Sequence, residues 1–161
     1  VSQSAEMTEP PVVDLAGYPG VLAYRLRAER FAVRTGKELT LTLPDASATL
    51  LPLRGDQRFN PYYAPEIKDT LWECIVRLPP GTTDVPVRPG EIDWDLPAGL
   101  GRILCRTALA TASDGTLTVR MRREITLANT VLPPEIYPAL LEMNRRLRHP
   151  AMRTLVATME E

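Results

Sequence analysis

Three carboxylates, Glu91, Asp93 and Asp95, alternate with Ile92 and Trp94 in the stretch Glu91-Ile92-Asp93-Trp94-Asp95. Successive side chains of an extended segment point to opposite faces, so the acids share one side and Ile92 and Trp94 the other. Clustered carboxylate oxygens suit a calcium ion, and a tryptophan face beside acids suits a sugar ring. Glu91, Asp93, Trp94 and Asp95 are therefore the candidate residues for a carbohydrate or calcium site. The competing reading is an exposed sheet edge whose charges discourage association while Ile92 and Trp94 pack inward.

Nucleophilic chemistry has few places to reside. The chain holds two cysteines, Cys74 and Cys105, and one histidine, His149. A catalytic triad needs a nucleophile, an imidazole and a third group that orients it. His149 instead stands on an arginine-rich stretch immediately before Pro150, the setting of a solvated helix-terminal histidine. Structural zinc wants four Cys or His ligands at set spacings, and no glycine-rich phosphate or dinucleotide motif occurs. No catalytic, cofactor-binding or metal residue is assigned, no cofactor is expected, and the chain is read as not an enzyme.

Two further clusters invite chemistry. Tyr62-Tyr63 resembles an aromatic platform, but neighbouring strand positions face opposite ways, so one tyrosine is expected in the core. Between Arg102 and Arg153 nine arginines face four acidic residues. Binding of nucleic acid would require exposed aromatics interleaved with these cations, and Tyr137 is the lone aromatic of that stretch. A solvated sheet face whose arginines pair with acids from elsewhere in the chain is the better reading. The whole chain agrees, since 19 Lys plus Arg stand against 20 Asp plus Glu, leaving a formal net charge of -1 and no global field for nucleic acid or an anionic membrane. No apolar stretch approaches the roughly 20 residues that would span a bilayer, so no membrane insertion is expected.

The elements that would position these groups are legible in outline. With 161 residues the chain suits one domain and a tail, and its 16 prolines point to many bounded turns. Residues 1–20, with Pro10-Pro11 and Gly17-Tyr18-Pro19-Gly20, lack sustained periodicity and are expected to be a linker, disordered at its start. Residues 21–161 form the expected folded domain. Within it Leu22, Tyr24 and Leu26 alternate with polar or small residues, and Lys37 to Pro44 alternates again after a turn at Arg34-Thr35-Gly36-Lys37. A short edge strand is expected within 48–55. Trp72, Cys74, Val76 and Leu78 share one face of a strand that Pro79-Pro80-Gly81 stops.

Two long strands, Leu100 to Ala112 and Thr116 to Ala128, flank Ser113-Asp114-Gly115, and Asp-Gly between alternating runs is a strong hairpin signal. In the second strand Leu117, Val119, Met121, Ile125 and Leu127 take one face, with Arg123 the polar intrusion among them. Ile136, Leu140, Met143 and Leu147 predict one amphipathic helix over Glu135 to Arg148, ended by Pro150. Alternation in Met152 to Met159 predicts a closing strand. The expected fold is thus mainly β: an antiparallel β-sandwich with one C-terminal α-helix followed by a short closing strand.

A pairing of the two cysteines follows from one assumption about register. If the strand Leu71 to Leu78 lies antiparallel beside Gly101 to Ala108 with flush ends, Leu78 faces Gly101 and Cys74 faces Cys105, at the Cα separation of about 4.5 to 5.5 Å that a disulfide tolerates. The other reading is that the strands lie apart, leaving two small apolar thiols, because the connection from Pro79 to Leu100 is too long to fix the register.

Taken in order, Tyr24-Arg25-Leu26 through Phe31, Gly36 to Pro44, Arg58-Phe59-Asn60-Pro61, Trp72 to Gly81 and Leu132-Pro133-Pro134-Glu135-Ile136-Tyr137-Pro138-Ala139-Leu140 form a pattern. It resembles the C-terminal β domain that follows the transglutaminase-like, papain-like core in exported bacterial multidomain proteins, a domain of unknown function. The resemblance covers roughly Val21 to Glu161. It implies a noncatalytic accessory module, located outside the cytoplasm in the periplasm or at the cell surface. Its expected partners are the upstream domains of the same polypeptide, with a glycan or peptide as a further candidate ligand. In that family the Cys-His-Asp triad belongs to the preceding core, and no position here matches the core motif. An exported location would also permit a Cys74–Cys105 bridge to oxidise.

Overall fold

A computed structural model describes residues 5–16, 21–23, 25–28, 31–43, 53, 55–63, 69–128 and 131–160. Its architecture is mainly β, with antiparallel sheets, one C-terminal helix and a closing strand after it. In chain order the strands are β1 (Ala5–Met7), β2 (Val12–Asp14), β3 (Val21–Ala23), β4 (Leu26–Ala28), β5 (Ala32–Thr35), β6 (Glu38–Thr42), β7 (Tyr62–Tyr63), β8 (Asp69–Arg77), β9 (Thr82–Val87), β10 (Ile92–Leu96), β11 (Gly101–Thr111), β12 (Leu117–Leu127) and β13 (Val131–Leu132). Helix α1 (Tyr137–Arg148) and β14 (Thr154–Met159) complete them.

Two four-stranded antiparallel sheets carry the fold, ordered β10-β11-β12-β8 and β5-β6-β14-β9. The first grows from the hairpin at Ser113-Asp114-Gly115. Gly115 (φ 82°) takes the left-handed conformation that closes a three-residue loop, and the Asp114 carboxylate accepts the Thr116 N–H at 2.9 Å. Short ribbons pair β1 with β4, β2 with β3 and β7 with β13. Thus two three-residue strands, β1 and β2, form within the stretch expected to be linker, and the alternating run from Val21 forms the separate strands β3 and β4. Residues 1–4, 17–20 and 48–52 lie outside the described residues, as does the disorder or edge strand expected there.

The inner face of the first sheet is covered by two different layers. Toward the Val119 end, Val119 and Met121 pack with Leu41, Val85, Leu155 and Ala157 of the second sheet, and Trp72, Cys74 and Val76 adjoin them. Toward the Leu127 end, Ile103, Ile125 and Leu127 pack with Leu140, Met143 and Leu147 of α1. Arg123 stands between the two clusters on the same face, its guanidinium over the Trp72 ring at 5.4 Å. The polar intrusion seen in the sequence is therefore the seam of the core.

The helix begins two residues later than its periodicity suggests. Pro134–Ile136 form a 3-10 turn first, and Pro138 is tolerated because the opening residues of a helix donate no intrahelical hydrogen bond. At the other end Pro150 drives His149 into an extended conformation (ψ 136°) and stops the helix. Arg145, Arg146 and Arg148 occupy the last turn, where the helix dipole favours cations.

Candidate functional site

Strand β10 lies at the edge of the first sheet, antiparallel to β11, with Asp93 opposite Leu104 and Trp94 opposite Ile103. The alternation expected of this segment is present: Glu91, Asp93 and Asp95 are exposed, while Ile92 and Trp94 pack against the helix-side core. The two halves of the candidate sugar site thus stand on opposite faces. Arginines projecting from β11 meet the acids. Arg102 donates to Asp93 Oδ1 from Nε (2.9 Å) and Nη2 (2.7 Å), and Arg106 Nη2 donates to Asp93 Oδ2 at 2.8 Å. Asp95 lies 3.6 Å from Arg102 and Glu91 lies 3.7 Å from Arg106. Glu91 Oε1 also accepts the Thr107 backbone N–H at 2.9 Å.

Both oxygens of the central carboxylate are therefore engaged by guanidinium groups. A calcium ion there would have to displace two charge-assisted contacts. Among the described residues no group of three or more His, Cys, Asp and Glu is placed to hold a metal ion. The sequence of β10 alone does not reveal these arginines, which come from β11. Arg102 and Arg106 share one face of β11, four residues apart, and a hairpin joining β10 to β11 brings them over Asp93.

The same outer face continues across the sheet as a lattice of pairs. Arg120 Nη2 reaches Glu73 at 2.8 Å across β12 and β8, and Arg122 pairs with Glu124. On α1, Glu142 pairs with both Arg145 and Arg146. Arg102, Arg106 and Arg120 thus pair with acids from earlier in the chain. The Asp93 carboxyl is held below its ordinary value by the Arg102 hydrogen bond, with Arg106 adding to it. Glu73 is lowered through its hydrogen bond to Arg120, and Glu142 through Arg146 and then Arg145.

These shifts fix the sign of a pH dependence. A carboxyl with a folded pKa below its unfolded value adds stability above that unfolded value, about 4, and loses the contribution as pH falls through the folded pKa. The melting temperature should hold from neutrality down to about pH 5 and fall below about pH 4. Asp93→Asn should make that acid fall shallower while leaving the fold intact, as followed by circular dichroism. An acid limb identical in the two proteins would show that the Asp93 pairs contribute nothing.

The cysteine register requires a correction. Strand β8 does not pair with β11, because β12 lies between them: Cys74 faces Met121, while Cys105 faces Arg123 on one side and Ile92 on the other. The tight hairpin commits one edge of β11 to β12, and β10 occupies its other edge. Two strand spacings separate β8 from β11, about 9.5 Å, beyond the roughly 7 Å Cα limit of a disulfide. Both thiols are free. Burial pushes both up from their ordinary pKa, with Arg123 and Arg106 opposing it at Cys105. Such thiols are poor nucleophiles at neutral pH. Intact mass without reductant should match two thiols, and alkylation of the native protein should modify half-buried Cys74 before buried Cys105. A chain lighter by two hydrogens and resistant to labelling after unfolding would overturn the strand order.

The remaining candidates sit where the sequence suggests. His149 is exposed, and its Nδ1 accepts the Ala151 backbone N–H at 3.2 Å. Tyr62 packs on the core beneath the Arg58 guanidinium, 4.6 Å from its ring centre, while Tyr63 is exposed. No helix among the described residues is long and apolar enough to cross a membrane. Compared with family models, curated proteins and solved structures, the chain matches none.

Proposed function

We propose that this chain is a noncatalytic accessory β-sandwich module of an exported, transglutaminase-like protein, acting through contacts with the upstream domains of the same polypeptide. The observation that carries the reading is the apolar surface of the N-terminal ribbons. Met7 on β1, Val12 and Val13 on β2, and Leu15 after them are each more than half exposed. Paired strands of three residues cannot bury such side chains alone, and two-stranded ribbons are marginal in water. A neighbouring domain seated on them would remove that surface from water and hold the ribbons in place. Two of the segments behind the resemblance also mark turns of this fold. Pro79-Pro80-Gly81, with Gly81 at φ 82°, ends β8, and Pro134-Glu135-Ile136 opens the helix.

Hydrogen exchange on the chain alone and on the longer parent polypeptide tests the reading. Amides of Ala5–Met7 and Val12–Asp14 should gain protection in the parent. Equal exchange in the two would leave the ribbons without a neighbour and remove the proposal. The parent's own sequence tests its second half, since a papain-like core upstream is required.

A further inference from the structure

The four outer strands of the two sheets are unequally guarded against pairing with another chain. Strand β10 carries the arginine-bound acids, β9 contains Pro86 and pairs irregularly with β14, and β5 is four residues long. Strand β8 is nine residues long, with neither proline nor irregular register; one arginine-bound acid, Glu73, stands between exposed Leu71 and Ile75 where Glu91 and β10 present three acids in succession on one face, and among the described residues no strand pairs with the outer edge of β8. Unguarded edges of that length are templates for strand addition.

The direction of its backbone groups follows from one hydrogen bond. Leu78 N–H donates to Leu117 O at 2.9 Å, which continues the β8–β12 ladder. Antiparallel pairs alternate in bonding, so the even-numbered residues face β12 and Leu71, Glu73 and Ile75 aim their N–H and C=O groups away from the sheet. The same residues lie on the outer face. Leu71 is 60% and Ile75 55% exposed, among charges that otherwise dominate this surface.

The pattern is self-complementary about Glu73. A twofold axis through that residue sets Leu71 of one copy opposite Ile75 of the other, twice, and Glu73 opposite Glu73. Each of those carboxylates already holds an arginine, Arg120 at 2.8 Å, so the four charges at the axis cancel. Register alone sets Asp69 against Arg77, residues of opposite charge, at both ends. We infer that a second copy of this chain pairs antiparallel along β8, joining two four-stranded sheets into one of eight strands across a twofold axis. The interface combines about ten backbone hydrogen bonds with two apolar cross-strand pairs. It uses a different surface from the N-terminal ribbons and does not depend on the function proposed for them.

Sedimentation equilibrium at tens of micromolar should give twice the 17.9 kDa of one chain. Two double variants test the register. Leu71→Lys with Ile75→Lys sets lysine against lysine, and Leu71→Glu with Ile75→Glu sets acid against acid. Both positions are exposed, so each variant should keep the native dichroism spectrum yet sediment as a monomer. An equimolar mixture should restore a dimer, since every lysine then faces a glutamate. A native chain that sediments as a monomer, variants that remain dimeric alone, or a mixture that stays monomeric would each overturn the inference.

Discussion

Replacing Gly101 by alanine should remove a large part of the stability of this chain. Gly101 opens β11 at φ 143°, one residue beyond the turn at Pro97–Gly99, and pairs with Leu127. A Cβ at that position would stand 2.0 Å from the Thr126 carbonyl oxygen and 2.9 Å from the Leu127 Cα. Both are backbone atoms of β12, which is fixed on its far side by β8 and cannot yield as a long side chain would. Relief requires parting β11 from β12 where the two also pack on the helix. The cost should exceed about 4 kcal/mol, a large part of the roughly 5–15 kcal/mol that holds an ordinary domain together.

Gly99→Ala provides the control. Gly99 also has positive φ, 66°, but nothing lies within 4 Å of the added Cβ. Its cost should be that of a left-handed alanine, about 1–2 kcal/mol. Urea unfolding of the two variants separates collision from conformational strain. Similar losses in both would mean that β11 and β12 do not approach as closely as described.

The second large effect belongs to Ile103. Its side chain is fully buried in the helix-side core, flanked in register by Trp94 on β10 and Ile125 on β12. Ile103→Ala should cost about 2–5 kcal/mol, since the lost transfer energy is joined by a cavity that the sheet on one side and α1 on the other can only partly fill. Ile103→Val removes one methylene and should cost about 0.5–1.5 kcal/mol. Leu71→Ala, a comparable apolar deletion at an exposed position, should change the stability of the monomer by less than about 0.5 kcal/mol. An Ile103→Ala protein with an unchanged urea midpoint would refute the packing of α1 on this sheet.

Local periodicity carried the parts of the fold that local physics determines. Asp114-Gly115 and its flanking alternation locate β11 and β12, and Ile136, Leu140, Met143 and Leu147 locate the buried stripe that runs from the 3-10 turn into α1, because turn chemistry and side-chain spacing are properties of adjacent residues. The partner of β8 is a different kind of information. Between Pro79 and Leu100 the chain contributes β9 to the second sheet and β10 to the free edge of β11, and no nearby residue encodes either choice. Ribbons of three residues are likewise too short to leave a period.

The candidate site divides in the same way. That Glu91, Asp93 and Asp95 share a face is a consequence of alternation alone. That Arg102 and Arg106 cover Asp93 depends on the turn at Pro97–Gly99, where Ala98 takes φ 57°, a conformation its residue type does not announce. A reading confined to β10 therefore finds the carboxylates and misses the groups that occupy them.

The arginine seam has a consequence for how substitutions combine. Leu140 and Leu155 belong to cores that share the backbone of β12 but are separated along it by the Arg123 guanidinium. Alterations with no shared neighbours add to within about 0.3–0.5 kcal/mol. Leu140→Ala and Leu155→Ala should therefore be additive when combined, whereas Leu140→Ala with Leu147→Ala, in one cluster, should not. Side chains away from that boundary can then vary in one half without compensation in the other, whereas those around Arg123, among them Trp72, Met121 and Leu147, line one cavity and must change together.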